Sequence, residues 1–186
     1  MRKLALIALF GGLLLTPLSQ NAQAQTPAPA AAPAVPEAMP FDIPYGTPIS
    51  MDDAHKAIMG AVAEAKKHNW KMSISVVDPA GFLLAHATMD GTQYASIAIS
   101  QAKARTAAQF RRPSKAFQDG VNGATGPGTP STLSLLALSG GAASEGGFPI
   151  VKDGKLIGAI GASGGIGTQD GVTAKGGLIA LGITPN

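Results

Sequence analysis

Apolar residues recur at helical spacing from Ala54 onward. Ala54, Ala57, Ile58, Ala61, Val62 and Ala65 stand at i, i+3, i+4, i+7, i+8 and i+11, one face of a 3.6-residue repeat. Ser50-Met51-Asp52-Asp53 precedes them, so a hydroxyl able to take an orphan N–H and two carboxylates near the positive end mark the start of an amphipathic helix. At about 100° per residue, His68 projects into the apolar stripe at the helix end, His55 sits on its flank and Lys67 turns away. His68 is therefore expected to be the most inward histidine of this helix.

The period then changes to two. Met72-Ser73-Ile74-Ser75-Val76 alternates, Asp78-Pro79-Ala80-Gly81 supplies turn chemistry, and Phe82-Leu83-Leu84-Ala85-His86-Ala87 follows, which predicts two antiparallel strands joined by a tight turn. In the second strand Phe82, Leu84 and His86 share a face, so His86 lies either on the core side at a rim or on a pocket-facing side. A second helix is expected over residues 94–110, presenting Ala95, Ala98, Ile99, Ala102 and Thr106 as its inner stripe. Residues 111–146 are glycine-rich and irregular around a short helical stretch near 131–138, a length of loop that tends to carry function. Phe148-Pro149-Ile150-Val151, a turn at 152–155, and Leu156-Ile157-Gly158-Ala159-Ile160-Gly161 read as a second hairpin, and a helix over 169–181 completes an α+β plan.

Upstream of this domain the pattern is of another kind. Arg2 and Lys3 precede an apolar run over 4–15, too short to span a bilayer as a helix, and Ala22-Gln23-Ala24 supplies the small-x-small cleavage pattern. Residues 1–24 are expected to be a signal peptide, which points to a periplasmic or secreted protein with no stable membrane span after cleavage. Residues 25–48, dominated by alanine and proline, read as a semi-extended linker, and residues 49–186 as a single domain. Without Arg2 and Lys3, the 14 basic residues fall to 12 against 11 acidic ones, a net charge of +1. So balanced a surface lacks the concentrated basic stripe that nucleic-acid binding requires. The chain has no cysteine, which excludes disulfides and a lipoprotein anchor.

Val76-Val77-Asp78-Pro79-Ala80-Gly81, Met89-Asp90-Gly91, Lys103-Ala104-Arg105-Thr106-Ala107, Gly146-Gly147-Phe148-Pro149-Ile150, Asp153-Gly154, and Ile157 through Gly165 followed by Gln169-Asp170 form an ordered series. In that order the series resembles the successive blocks of the GlcG/HbpS haem-binding family over about residues 50–182. The resemblance implies a profilin-like α+β fold, a central antiparallel sheet flanked by helices, assembly into homo-oligomers and, in several members, non-covalent haem binding. It does not imply an established enzyme. Two departures stand out: Thr88 where the family often has arginine before Met-Asp, and Gly171 where it often has glutamate after Gln-Asp.

A haem site asks for an apolar crevice, an axial donor and cations for the propionates. His86 and His68 are the candidate iron ligands, Lys103 and Arg105 the candidate propionate partners, and Thr106 of the same block a further candidate. Met72 and Met89 are possible soft ligands or core filler. Covalent attachment of the c type is excluded, because it needs cysteines. Gly161-Ala162-Ser163-Gly164-Gly165 also satisfies the nucleophile-elbow pattern, yet all three histidines precede Ser163, whereas the Ser, acid, His order needs one after it. Haem binding ranks first, a small-molecule-binding or assembly module linked to hydroxy-acid metabolism second, and an enzyme third.

Overall fold

Nine elements follow one another in a computed structural model that describes residues 37–39, 41–124, 132–138, 140 and 142–185. The expected signal peptide and most of the linker lie outside the described residues. Helix α1 (Met51–Lys67) begins where the Ser50 hydroxyl accepts the Asp53 N–H at 3.1 Å, and it ends with Lys66 and Lys67 near its negative pole. Strands β1 (Ser73–Val77) and β2 (Leu83–Thr88) flank a turn in which the Asp78 carboxylate accepts the Phe82 N–H. Then come α2 (Ala95–Gln109), α3 (Lys115–Asn122), α4 (Ser134–Leu138), β3 (Gly147–Lys152), β4 (Lys155–Ser163) and α5 (Gly167–Ala180). The β3–β4 hairpin turns through Asp153 and Gly154, both at positive φ, the geometry that matches strand twist in a two-residue loop.

The four strands form one antiparallel sheet in the order β2-β1-β4-β3. Helices α1 and α5 cover one face and α2 the other. The first face holds the larger core: Ile74, Val76, Ile150, Ile160 and Ala162 pack against Ala54, Ala57, Ile58 and Ala61 of α1 and Leu178 of α5. Each fully buried isoleucine or valine there contributes about 1.5–3 kcal/mol. The plan is the α+β sheet with flanking helices expected from the sequence.

The α2 face is built differently. The buried side of α2 is Ser96, Ser100, Lys103, Ala104, Thr106, Ala107 and Ala108, so of the expected stripe only Thr106 is buried, while Ala95, Ala98 and Ile99 face solvent. The cause is the closeness of the layers. A Cβ added at Gly161 would overlap the Ser100 carbonyl and come 2.6 Å from the Ala104 nitrogen, and one at Gly147 would overlap the Lys103 carbonyl. Where helix and sheet backbones run that close, only small side chains fit, and hydroxyls satisfy one another across the gap.

Two further differences concern the connections. Residues 115–122, expected to be irregular, form α3, whose Phe117 is buried edge-on against Phe110. The end of the expected linker is also fixed in place. Leu156 donates to the Pro44 carbonyl, Gly46 to the Leu156 carbonyl and Ile49 to the Ile157 carbonyl, at 2.7–2.9 Å. Strand β1 stops at Val77, opposite Ala159, which leaves the start of β4 unpaired on that side, and Tyr45 takes the vacant ladder position as a parallel bridge.

Candidate functional site

The glycine-rich blocks singled out in the sequence converge on one buried ion pair. Lys103, in the middle of α2, places its Nζ 2.6 Å from Asp170 Oδ2 and 2.7 Å from the Glu145 carbonyl, with both side chains about 2–3% exposed. The other carboxylate oxygen of Asp170 accepts the Gly165 N–H at 3.0 Å. Gly146, at φ +128°, crosses directly above the pair: a Cβ there would come 2.8 Å from Asp170 Cβ and 3.1 Å from Lys103 Nζ. Burial pushes the Asp170 carboxyl above its ordinary range, opposed by the Lys103 ammonium and the Gly164 and Gly165 amides. Four segments are thereby tied together: α2, the approach to β3, the β4–α5 turn and α5. Lys103, expected to hold a propionate, is committed to this internal pair.

A second polar cluster lies between α2 and the sheet. Ser75 contacts the Ser100 hydroxyl at 2.8 Å and His86 Nδ1 at 2.9 Å, while His86 Nε2 contacts the Thr88 hydroxyl at 2.8 Å, which in turn meets Ser73 at 3.0 Å. Both ring nitrogens of His86 are therefore engaged by hydroxyls. Burial lowers its pKa below the ordinary 6.5, so the ring is neutral at pH 7, one nitrogen donating and the other accepting. Thr88, where the resembling sequences often carry arginine, is the residue that closes this chain of hydroxyls. Ser163, the elbow-like serine, is buried at the end of β4 and bonds the Ser96 hydroxyl at 3.3 Å, with no histidine among its partners.

Sequence periodicity misplaces His68. It caps the C-terminus of α1 and its side chain is 43% exposed, stacked on Trp70 at 4.3 Å with Nε2 3.3 Å from Glu64. The helix ends at Lys67, so the helical projection no longer applies one residue later. Trp70 forms a wall of an open groove of about 460 Å³ between α1 and β2, with Met59, Val62, Ala87 and Met89 as its apolar lining and Lys66 and Lys71 among its cations. Because Ser75 and its partner His86 face α2, the two candidate imidazoles lie on opposite sides of the sheet and cannot serve one iron together. Arg105 is exposed, its Nε directed to the Gly81 carbonyl at 3.4 Å, and Thr106 is buried on α2. Met72 is fully buried and packs in the core. The groove residues Met59, Lys66, Trp70 and Lys71 were not singled out in the sequence: Met59 and Lys66 share a helix face seven residues apart but form no apolar stripe, and Trp70 and Lys71 follow the helix end.

A family model described as "Haem degrading protein HbpS-like" matches residues 49–179. The chain belongs to the HbpS-like family. GlcG of Escherichia coli K12 is 42% identical over 116 residues, which cover 62% of this chain and 81% of that protein. An uncharacterised 15.0 kDa protein of Citrobacter freundii, from the dhaT-dhaS intergenic region, is 34% identical over 128 residues, 68% of this chain and 87% of that protein. Among solved structures, HbpS superposes with a TM-score of 0.65 at 26% identity, covering 77% of this chain and 97% of that one. A complex of PduOC with haem superposes with a TM-score of 0.64 at 27% identity, covering 72% and 95%. The blocks around Lys103, Gly146 and Gly161 to Asp170 are thus, in the fold, the walls of one buried ion pair and the seat of α2. Gly171, the second departure noted in the sequence, lies against Glu145, whose Oε1 would be 2.7 Å from a Cβ at that position.

Removing one partner of the buried pair leaves an uncompensated charge, so Lys103→Met or Asp170→Leu is expected to cost about 3–5 kcal/mol in urea unfolding. The double replacement Lys103→Met with Asp170→Leu should recover most of that loss. Additive losses in the double variant would show that the pair does not act as a unit.

Proposed function

We propose that this protein binds haem, or a related tetrapyrrole, non-covalently in the groove between α1 and β2. The carrying observation is that the groove joins an apolar surface to cations and has an imidazole stacked on the tryptophan of its wall. Met59, Val62, Trp70, Ala87 and Met89 offer an apolar surface to the macrocycle, and Lys66 and Lys71 offer cations for its carboxylates. His68, exposed and stacked on Trp70, offers an imidazole beside it, and Met59 and Met89 offer thioethers. Membership of the HbpS-like family and the likeness to a haem complex of PduOC support the same reading. The chain's own contribution would be to shield one face of the ring from water and to hold its carboxylates, while the bound iron supplies redox and ligand-binding chemistry.

His86 is the weaker candidate for the iron, since both of its ring nitrogens already meet hydroxyls. The further expectations fit this reading. Export follows from the basic, apolar and Ala-x-Ala succession over residues 1–24. Assembly into homo-oligomers is supported by the edge positions of β2 and β3, which have no further strand beside them among the described residues, and by Phe82 and Tyr94, which are 72% and 92% exposed.

Haemin titrated into the protein should give a saturable, sharpened Soret band. His68→Ala should alter the visible and resonance Raman spectrum of the bound haem, and Lys66→Ala with Lys71→Ala should weaken binding about tenfold while leaving coordination unchanged. A spectrum altered by His86→Ala and untouched by His68→Ala would place the ligand on the other side of the sheet. Mass spectrometry of protein recovered from the periplasm should show a start at Gln25, and an intact Met1 in that fraction would contradict export with cleavage.

A further inference from the structure

We propose that a second cleft, between segment 41–43, the α2–α3 connection and the end of α5, binds a small apolar carboxylate held by Arg111 and Arg112. Both arginines line it, and the remaining walls include Ile43, Phe148, Leu178 and Ile183. Consecutive side chains of a regular helix or strand diverge. Here Arg111 sits at φ +53°, a left-handed conformation unusual for a residue with a Cβ, and two successive arginines line the same cleft.

These cations are poorly neutralised. Among the described residues Arg111 has one carboxylate near it, Asp42 at 3.9 Å, itself 82% exposed, and it donates to the Ile43 carbonyl at 3.2 Å. Arg112 has no ion pair among the described residues. Its guanidinium lies 4.2 Å and 4.5 Å from the ring centres of Phe41 and Phe117, and its Nε is buried with no hydrogen-bond partner. Burial accordingly lowers the Arg112 pKa. Aromatic faces compensate a desolvated cation only in part, and the group that completes the compensation is an anion.

Shape and polarity define which anion. A volume of about 240 Å³ lies below the range of about 300–1,000 Å³ typical of drug-sized pockets, so the ligand is small. The apolar walls select a carboxylate carrying a ring or a branched chain over a phosphate or a polar dicarboxylate, and a planar carboxylate matches the guanidinium fork. The cleft is separate in its lining residues from the groove around Trp70. The assignment therefore stands or falls independently of haem binding.

Phenylacetate and its neutral isostere phenylacetamide would be titrated calorimetrically into the protein as isolated, with and without saturating haemin. Phenylacetate should bind saturably, phenylacetamide about tenfold or more weaker, and Arg112→Gln should weaken phenylacetate by a similar factor. Arg111→Gln provides a second variant, and circular dichroism confirms the fold of each. Equal affinity for acid and amide, or no saturable binding of the acid, overturns the proposal without any appeal to variants. Haemin uptake should be unchanged by saturating phenylacetate, and competition between the two would overturn the assignment of a separate site.

Discussion

A lysine ammonium shut away from water must find an anion inside the protein, and in this fold it finds one across 67 residues of chain. Lys103 projects from α2 and Asp170 from the first turn of α5, and they meet at 2.6 Å on the far side of β4's exit. The desolvation of both groups is large, and each alone would be strongly unfavourable there. The pair is tolerable because the Glu145 carbonyl and the Gly165 amide satisfy remaining hydrogen-bonding positions, and because Gly146 leaves room for the chain to pass. That requirement fixes where α2 lies, how the chain enters β3 and how β4 turns into α5. Two glycines of the HbpS-like blocks belong to this requirement: Gly147 and Gly161 let α2 settle onto the sheet backbone.

Once α2 is seated so closely, the two faces of the sheet can no longer be alike. The α1 and α5 face keeps an aliphatic core, whereas the α2 face is filled by serines and alanines with His86 joined to their hydroxyls. A flat ligand finds no room under α2. Ligand-sized space remains at the margins: the groove beside Trp70, on the α1 side of the sheet, and the arginine-lined cleft at the opposite edge near β3. The first offers lysines, thioethers and a nearby imidazole, the second two arginines and apolar walls. Their chemistries differ enough to separate a tetrapyrrole from a small carboxylate.

Much of this was legible beforehand, for physical reasons that can be named. Helix α1 announced itself because its core face is apolar and its cap is a serine, and both hairpins announced themselves through alternation and turn residues. Helix α2 misled because the face it buries is Ser96, Ser100, Lys103 and Ala104, while Ala95, Ala98 and Ile99 point outward. Hydrophobic periodicity assumes that burial follows apolarity, and a close-packed helix selected for small size and for an internal ion pair breaks that assumption. Lys103 and Asp170 stood out as parts of sequence blocks, but nothing in the chain between them signals that they meet. His68 was misplaced because the helix stops one residue before it. The groove residues Met59, Lys66, Trp70 and Lys71 lie on α1 and the turn after it, but the wall opposite them, Ala87 and Met89, is supplied by the packing of α1 against β2, a long-range contact that local spacing does not encode.

The central claim is that the α1 side of the sheet, beside Trp70, is the ligand-binding side. Amide chemical-shift mapping during titration with a diamagnetic gallium protoporphyrin tests it most directly, since it reports location without depending on any replacement. The account predicts that the largest shifts fall on Met59, Val62, Lys66, Trp70, Ala87 and Met89. Shifts centred on Ser75, His86 and Ser100, with the Trp70 groove unmoved, would contradict it.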